Sequence, residues 1–146
     1  VSHSVKKTPA FFALKYSKKM KQIFILLFIG MTLACTKQSG NVINLNAEEF
    51  HKTLASTPER SLLDIRTDGE IAQGMIPKTQ QMEYGTPEFE TEINKLDKNK
   101  PVFIYCAVGG RSASAVNLFT SKGFKKVYNL EGGISSWQTN GLPVSR

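Results

Sequence analysis

The chain has 146 residues and a formal charge of +7, a length that suits one domain. The charge is unevenly placed. Lys6, Lys7, Lys15, Lys18, Lys19 and Lys21 lie before Cys35 with no acid among them, which leaves 13 basic and 12 acidic side chains in the remainder. A near-neutral domain without a Lys/Arg cluster has no electrostatic footprint for nucleic acid, so that class is excluded.

In chain order the leader comes first. Lys18, Lys19 and Lys21 precede an apolar stretch from Ile23 to Ala34, and Cys35 follows. A basic segment, a short apolar segment and a small residue before a cleavage point describe an export signal. The apolar run is 12 residues long, against about 20 for a helix that spans a bilayer. Cys35 directly after Ala34 resembles the bacterial lipoprotein signal, which implies lipidation of Cys35 and residence on the periplasmic side of a membrane. An uncleaved anchor, or a plain signal with Cys35 left free, are the alternatives. Met20 reads as the start of translation, so residues 1–34 form an upstream extension plus signal peptide. Residues 35–41 are small and polar and read as a tether, and residues 42–146 are the folded domain.

Val42 to Leu45 reads as a strand. Asn46 then caps a helix, with Glu49 completing a capping box and Leu45 and Phe50 spaced for a hydrophobic staple. Ser61 to Ile65 is a second strand. Thr67 and Glu70 repeat the box spacing over a short helix that stops at Gly74. Ile76-Pro77 leads into an irregular edge segment that runs to about Tyr84. Thr86-Pro87 opens the next helix, with Pro tolerated in its first turn, and Phe89, Ile93 and Leu96 recur on one face. Val102 to Tyr105 is an uninterrupted apolar strand, as at the centre of a parallel sheet. A helix from Ser112 to Lys122 turns Ala115, Leu118 and Phe119 inward. Val127-Tyr128 is the last strand, and Gly132-Gly133 opens a final helix through Trp137. Alternating strands and helices predict an α/β domain with helices on both sheet faces.

Cys106 is the candidate nucleophile. It lies where the central strand ends, and the loop Ala107-Val108-Gly109-Gly110-Arg111 carries the chain to the helix at Ser112. Loop N–H groups and a helix N-terminus favour negative charge. A thiolate held there has a pKa lowered from roughly 8.5. If Cys35 carries lipid, Cys106 has no disulfide partner, and a free thiol in an oxidising compartment suggests use. A buried inert cysteine is the alternative.

These residues resemble the rhodanese family of sulfurtransferases in its single-domain form. The first family signature is matched by Leu62-Leu63-Asp64-Ile65-Arg66, and Glu70, Gly74, Ile76 and Pro77 fit the stretch that follows it. Cys106, Gly109, Arg111 and Ser112 match the active loop. Leu130 to Ile134, Trp137 and Gly141-Leu142-Pro143 match the C-terminal signature. Met75 stands where the family usually has His, and Lys78-Thr79 replace a common glycine-alanine pair. The resemblance implies a three-layer domain around a central, mostly parallel five-stranded sheet. It also implies transfer of a sulfane sulfur from a donor such as thiosulfate to a thiol or cyanide acceptor through a Cys106 persulfide. Ala107, Val108, Gly109, Gly110, Arg111 and Ser112 would bind the substrate, with no metal or organic cofactor, in a monomer.

The supporting residues have plainer readings. Asp64 and Arg66 are expected to be structural, Glu70 a helix cap, Trp137 a core residue and His51 solvated. Gly132-Gly133 should serve the backbone near the active loop, and Arg111 either faces the substrate or clamps the loop. Two rival functions stay open. One is a phosphatase or arsenate reductase, although four residues separate Cys106 from Arg111, one fewer than in those phosphatases. The other is a non-catalytic binding module of the same family.

Overall fold

The computed structural model describes residues 40–145. The leader, Cys35 and most of the tether lie outside the described residues. Five parallel strands form one sheet: β1 (Asn41–Leu45), β2 (Ser61–Asp64), β3 (Gln80–Gln81), β4 (Val102–Tyr105) and β5 (Lys126–Leu130), in the order β1-β5-β4-β2-β3. Five helices connect them: α1 (Ala47–Ala55), α2 (Asp68–Ile71), α3 (Pro87–Lys95), α4 (Gly110–Ser121) and α5 (Gly133–Thr139).

The pleat of β4 divides the core into two layers. Alternate residues of a strand point to opposite faces. Phe103 and Tyr105 pack with Phe50 and Leu54 of α1 and Ile134 and Trp137 of α5. Val102, Ile104 and Cys106 pack with Phe89 and Ile93 of α3 and Ala115 and Phe119 of α4. Aromatic edges lock the first layer: the Phe50 ring meets Phe103 at 5.2 Å and Trp137 at 6.3 Å, both T-shaped. Trp137 is buried, and its indole N–H donates to Pro143 O at 2.9 Å. His51 is exposed, with its ring edge-on to Trp137.

Both capping boxes form. Glu49 N donates to Asn46 Oδ1 at 2.9 Å, and Asn46 N donates to Glu49 Oε2 at 3.3 Å. The Thr67 hydroxyl oxygen accepts from Glu70 N at 3.4 Å, and Thr67 N donates to Glu70 Oε2 at 3.0 Å. Each box satisfies donors that a helix N-terminus leaves unpaired.

Several boundaries differ from the sequence reading. The first strand starts at Asn41, because Asn41 N donates to Lys125 O at 3.0 Å, so the tether is shorter. The edge segment contains a two-residue strand, in which Gln80 and Gln81 pair with Leu63 and Asp64. The active-loop helix begins at Gly110 rather than Ser112, with Ala113 N donating to Gly109 O at 3.0 Å. The last strand extends to five residues because β1 and β4 flank it on both sides. A further antiparallel bridge joins Met75 to Ser145 and ties the C-terminal segment to the end of the α2 loop. Among the described residues no helix is long and apolar enough to cross a membrane.

Candidate active site

Cys106 follows the last residue of β4 at the carboxyl end of the sheet, where ligands bind in open α/β folds. The residue is 1% exposed. Its Sγ accepts a hydrogen bond from Gly109 N at 3.2 Å. Burial pushes the thiol up, but the Ser112 amide and hydroxyl and the amides of Gly109 and Val108 favour the thiolate and together hold it below its ordinary range. The Ser112 hydroxyl has one proton, which it also offers to Gly109 O at 3.1 Å.

The loop amides face inward because the carbonyls are held elsewhere. Cys106 O accepts from Ile134 N at 2.9 Å, and Ala107 O accepts from Ser135 N at 3.0 Å. Both donors sit in the first turn of α5, where amides lack partners within the helix. This approach requires glycine at position 133. Its φ is +59°, and a Cβ there would lie 2.4 Å from Cys106 O and 2.6 Å from Ala107 O. Gly109 answers from the other side with φ +94° and only 3.1 Å between a Cβ position and Gly132 N. The Gly132-Gly133 pair therefore acts on the backbone that shapes the loop.

Arg111 makes a two-pronged contact with Glu70. Its Nη1 donates to Glu70 Oε2 at 2.9 Å and its Nη2 to Glu70 Oε1 at 2.5 Å. Both side chains are one-third exposed. The Arg111 guanidinium, helped by the Thr67 amide, holds the Glu70 carboxyl down at about 2. The Arg111 guanidinium is raised in turn, first by Glu70 and to a lesser degree by Cys106, so the ion pair borders the thiol. Glu70 thus has two tasks, because the carboxylate that completes the cap of α2 also grips the active loop. Sequence reading found the cap alone. Its spacing to Thr67 is local, whereas its partner lies 41 residues away.

Asp64 and Arg66 form a buried pair beside this contact, with side chains 0% and 5% exposed. Arg66 Nε donates to Asp64 Oδ1 at 2.9 Å, and Nη2 donates to Oδ2 at 2.6 Å. The remaining Arg66 donors reach Gly74 O at 2.7 Å and Glu70 O at 3.2 Å. The pair ties the C-terminal part of α2 and the turn after it to β2. Tyr105 completes the frame: its phenol oxygen accepts from Ile76 N at 3.1 Å and lies 3.2 Å from Thr79 Oγ1. Burial pushes that phenol well above its ordinary range, so it stays a neutral hydrogen-bonding group. The only sign of it in the sequence is a polar tip within an apolar strand.

Ala107 is half-buried, whereas Val108 is 71% exposed at the rim of the loop. Among the described residues no three His, Cys, Asp or Glu side chains converge as a metal site. The arrangement is an enclosed thiolate beside loop amides, bordered by an ion pair, in a loop whose other two side chains, Ala107 and Val108, are small and apolar. It can hold and stabilise one negative charge on or next to Cys106 Sγ.

Known proteins carry the same framework. The family model for the rhodanese-like domain matches residues 46–140. A protein named sulfurtransferase from Allochromatium vinosum is 38% identical over 103 residues, which cover 70% of this chain and 94% of that protein. The putative sulfurtransferase YtwF of Bacillus subtilis is 35% identical over 99 residues, covering 68% of this chain and 93% of the relative. The crystal structure of a rhodanese-like domain protein from Staphylococcus aureus superposes with a TM-score of 0.60 at 29% identity, over 71% of this chain and 99% of that one. By sequence, by fold and by the loop that ends its central strand, the chain belongs to the rhodanese-like family.

Proposed function

We propose that the protein is a sulfurtransferase in which Cys106 carries a sulfane sulfur as a persulfide. The observation that carries this reading is the bond from Gly109 N to Cys106 Sγ, made within a loop whose neighbouring amides also favour the thiolate. The relatives named sulfurtransferase support it. The thiolate attacks the outer sulfur of the donor. The bond from Sγ to that sulfur forms, the donor's S–S bond breaks, and the leaving group departs with the electron pair. The terminal sulfur of the persulfide now bears the charge, within reach of amides already in place. A thiol or cyanide then attacks this sulfur and Cys106 leaves as the thiolate. The short Cys106–Arg111 loop suits a single sulfur atom better than a tetrahedral oxyanion, and Arg111 is already engaged by Glu70.

Intact-protein mass spectrometry after incubation with a sulfane-sulfur donor at saturating concentration tests the proposal. The expected result is a gain of one sulfur atom on Cys106 that cyanide removes and that Cys106→Ser does not acquire. No adduct with thiosulfate, polysulfide or an organic persulfide would sink it and leave the non-catalytic module as the better reading. We further propose that the domain is tethered to a membrane through lipid on Cys35. That reading rests on the leader's basic and apolar segments, and labelled fatty acid should enter the wild type but not Cys35→Ser.

A further inference from the structure

The charge around Cys106 narrows the donor. We propose that the site selects the hydropersulfide of an uncharged organic thiol and discriminates against the thiosulfate dianion, with Glu70 as the residue that sets this preference. The inference rests on the persulfide reading of Cys106. The segment Cys106–Ser112 holds one basic side chain, Arg111. Glu70 meets that guanidinium with both carboxylate oxygens, at 2.9 and 2.5 Å, so the pair bordering the thiol is neutral as a unit. The loop's remaining attraction for anions comes from its amides, and that of Gly109 already bonds Sγ.

Attack on thiosulfate would bring two further negative charges beside the thiolate, three in all, and release sulfite as a dianion. An organic hydropersulfide reacts in its protonated form, R–S–SH, which brings none. In that reaction the Sγ–S bond forms and the donor's S–S bond breaks. The electron pair and the hydropersulfide proton go to the leaving group, so Cys106–S⁻ and R–S–SH become Cys106–S–S⁻ and R–SH. The site holds a single negative charge throughout, which matches the cradle. The rim agrees with such a donor: Val108 is 71% exposed beside a thiol that is 1% exposed. A carbon substituent on the leaving sulfur can lie against that apolar rim, whereas a sulfonate group finds neither a cation nor a donor on the Ala107 or Val108 side chain.

The experiment compares kcat/KM for sulfur loading from benzyl hydropersulfide and from thiosulfate, each divided by the rate at which free cysteine takes sulfur from the same donor. The normalised value should favour the hydropersulfide. Glu70→Gln keeps a side chain able to serve the capping box and removes the compensating charge. Val108→Lys adds a cation at the rim without touching the ion pair. Each should raise the ratio of thiosulfate to hydropersulfide kcat/KM by about tenfold, chiefly through a lower KM for thiosulfate. Equal or better normalised loading from thiosulfate in the wild type would overturn the inference, as would a donor ratio unmoved by both variants. Those results leave the persulfide reading standing, whereas failure of every donor to load Cys106 overturns both.

Discussion

Cys106 combines burial with hydrogen-bond donors that favour its charged form, and the donors prevail. Its reactivity should therefore rise with pH through a midpoint below the ordinary thiol value of roughly 8.5. Iodoacetamide alkylation followed across pH is the measurement, and a midpoint at or above that value would contradict the cradle. Glu70 is shifted in the same direction. Its carboxyl is depressed to about 2 in the folded protein from 4.5. The stability it adds is therefore present above pH 4.5 and is lost as pH falls through about 2. Across the range in which the thiol titrates, the Arg111 contact stays intact, and the profile reports Cys106 alone. Lys78 is a second residue with a local consequence. It is exposed and has φ +66° in the turn after Pro77, where the family commonly has glycine. A side chain in the left-handed region costs about 1–2 kcal/mol, part of which glycine gives back in chain entropy. Lys78→Gly should stabilise the protein by roughly 0.5–1 kcal/mol in urea unfolding without changing sulfur loading.

The elements that matter most are the two glycine-led helix N-termini that meet across the active loop. The first turn of α5 takes the carbonyls of Cys106 and Ala107, which leaves the loop amides free to face Sγ. Gly133→Ala would place a methyl 2.4 Å from Cys106 O. It should cost about 2–4 kcal/mol and raise the pH midpoint of Cys106 alkylation, because the carbonyls must move and the amides move with them. Gly141→Ala is the matched control. It has a similar φ of +68° but nothing within 4 Å of the Cβ position, so it should show the backbone strain alone and leave the alkylation midpoint in place. The short helix α2 owes its place to tertiary contacts more than to its own length. Its first turn is capped by Thr67 and Glu70, and Arg66 ties Glu70 O and Gly74 O to Asp64.

At the scale of the whole molecule, the site is a junction between distant segments. Residues near position 64, near 70, near 106 and near 133 come together because β2, β4 and β5 are neighbouring parallel strands and each delivers its following loop to the carboxyl end of the sheet. The Asp64–Arg66 pair is the rigid part of that junction. Arg66→Met would leave Asp64 charged and buried without its partner, so the fold should lose about 3–5 kcal/mol. Chemical denaturation would measure the loss. A change below about 1 kcal/mol would mean that the pair is dispensable.

How much of this was legible without coordinates follows from the range of each interaction. Asn46 with Glu49 and Thr67 with Glu70 are three residues apart, and the four apolar residues before Cys106 have no face to spare for water. Such features are written locally, so caps, the central strand and the thiol at its end could be read from the chain. The grip of Glu70 on Arg111, the hold of Tyr105 on Ile76 and the Met75–Ser145 bridge span 29 to 70 residues, and no local pattern encodes them. The same holds for the extra length of β5, which depends on having a neighbour on each side. By itself the sequence determined the α/β alternation, the family and the position of the candidate nucleophile, because these rest on periodicity and on motifs of contiguous residues. Only the tertiary structure decided that Arg111 is bound by a carboxylate rather than left free for a donor, because that outcome depends on where β2 and β4 place their loops in space.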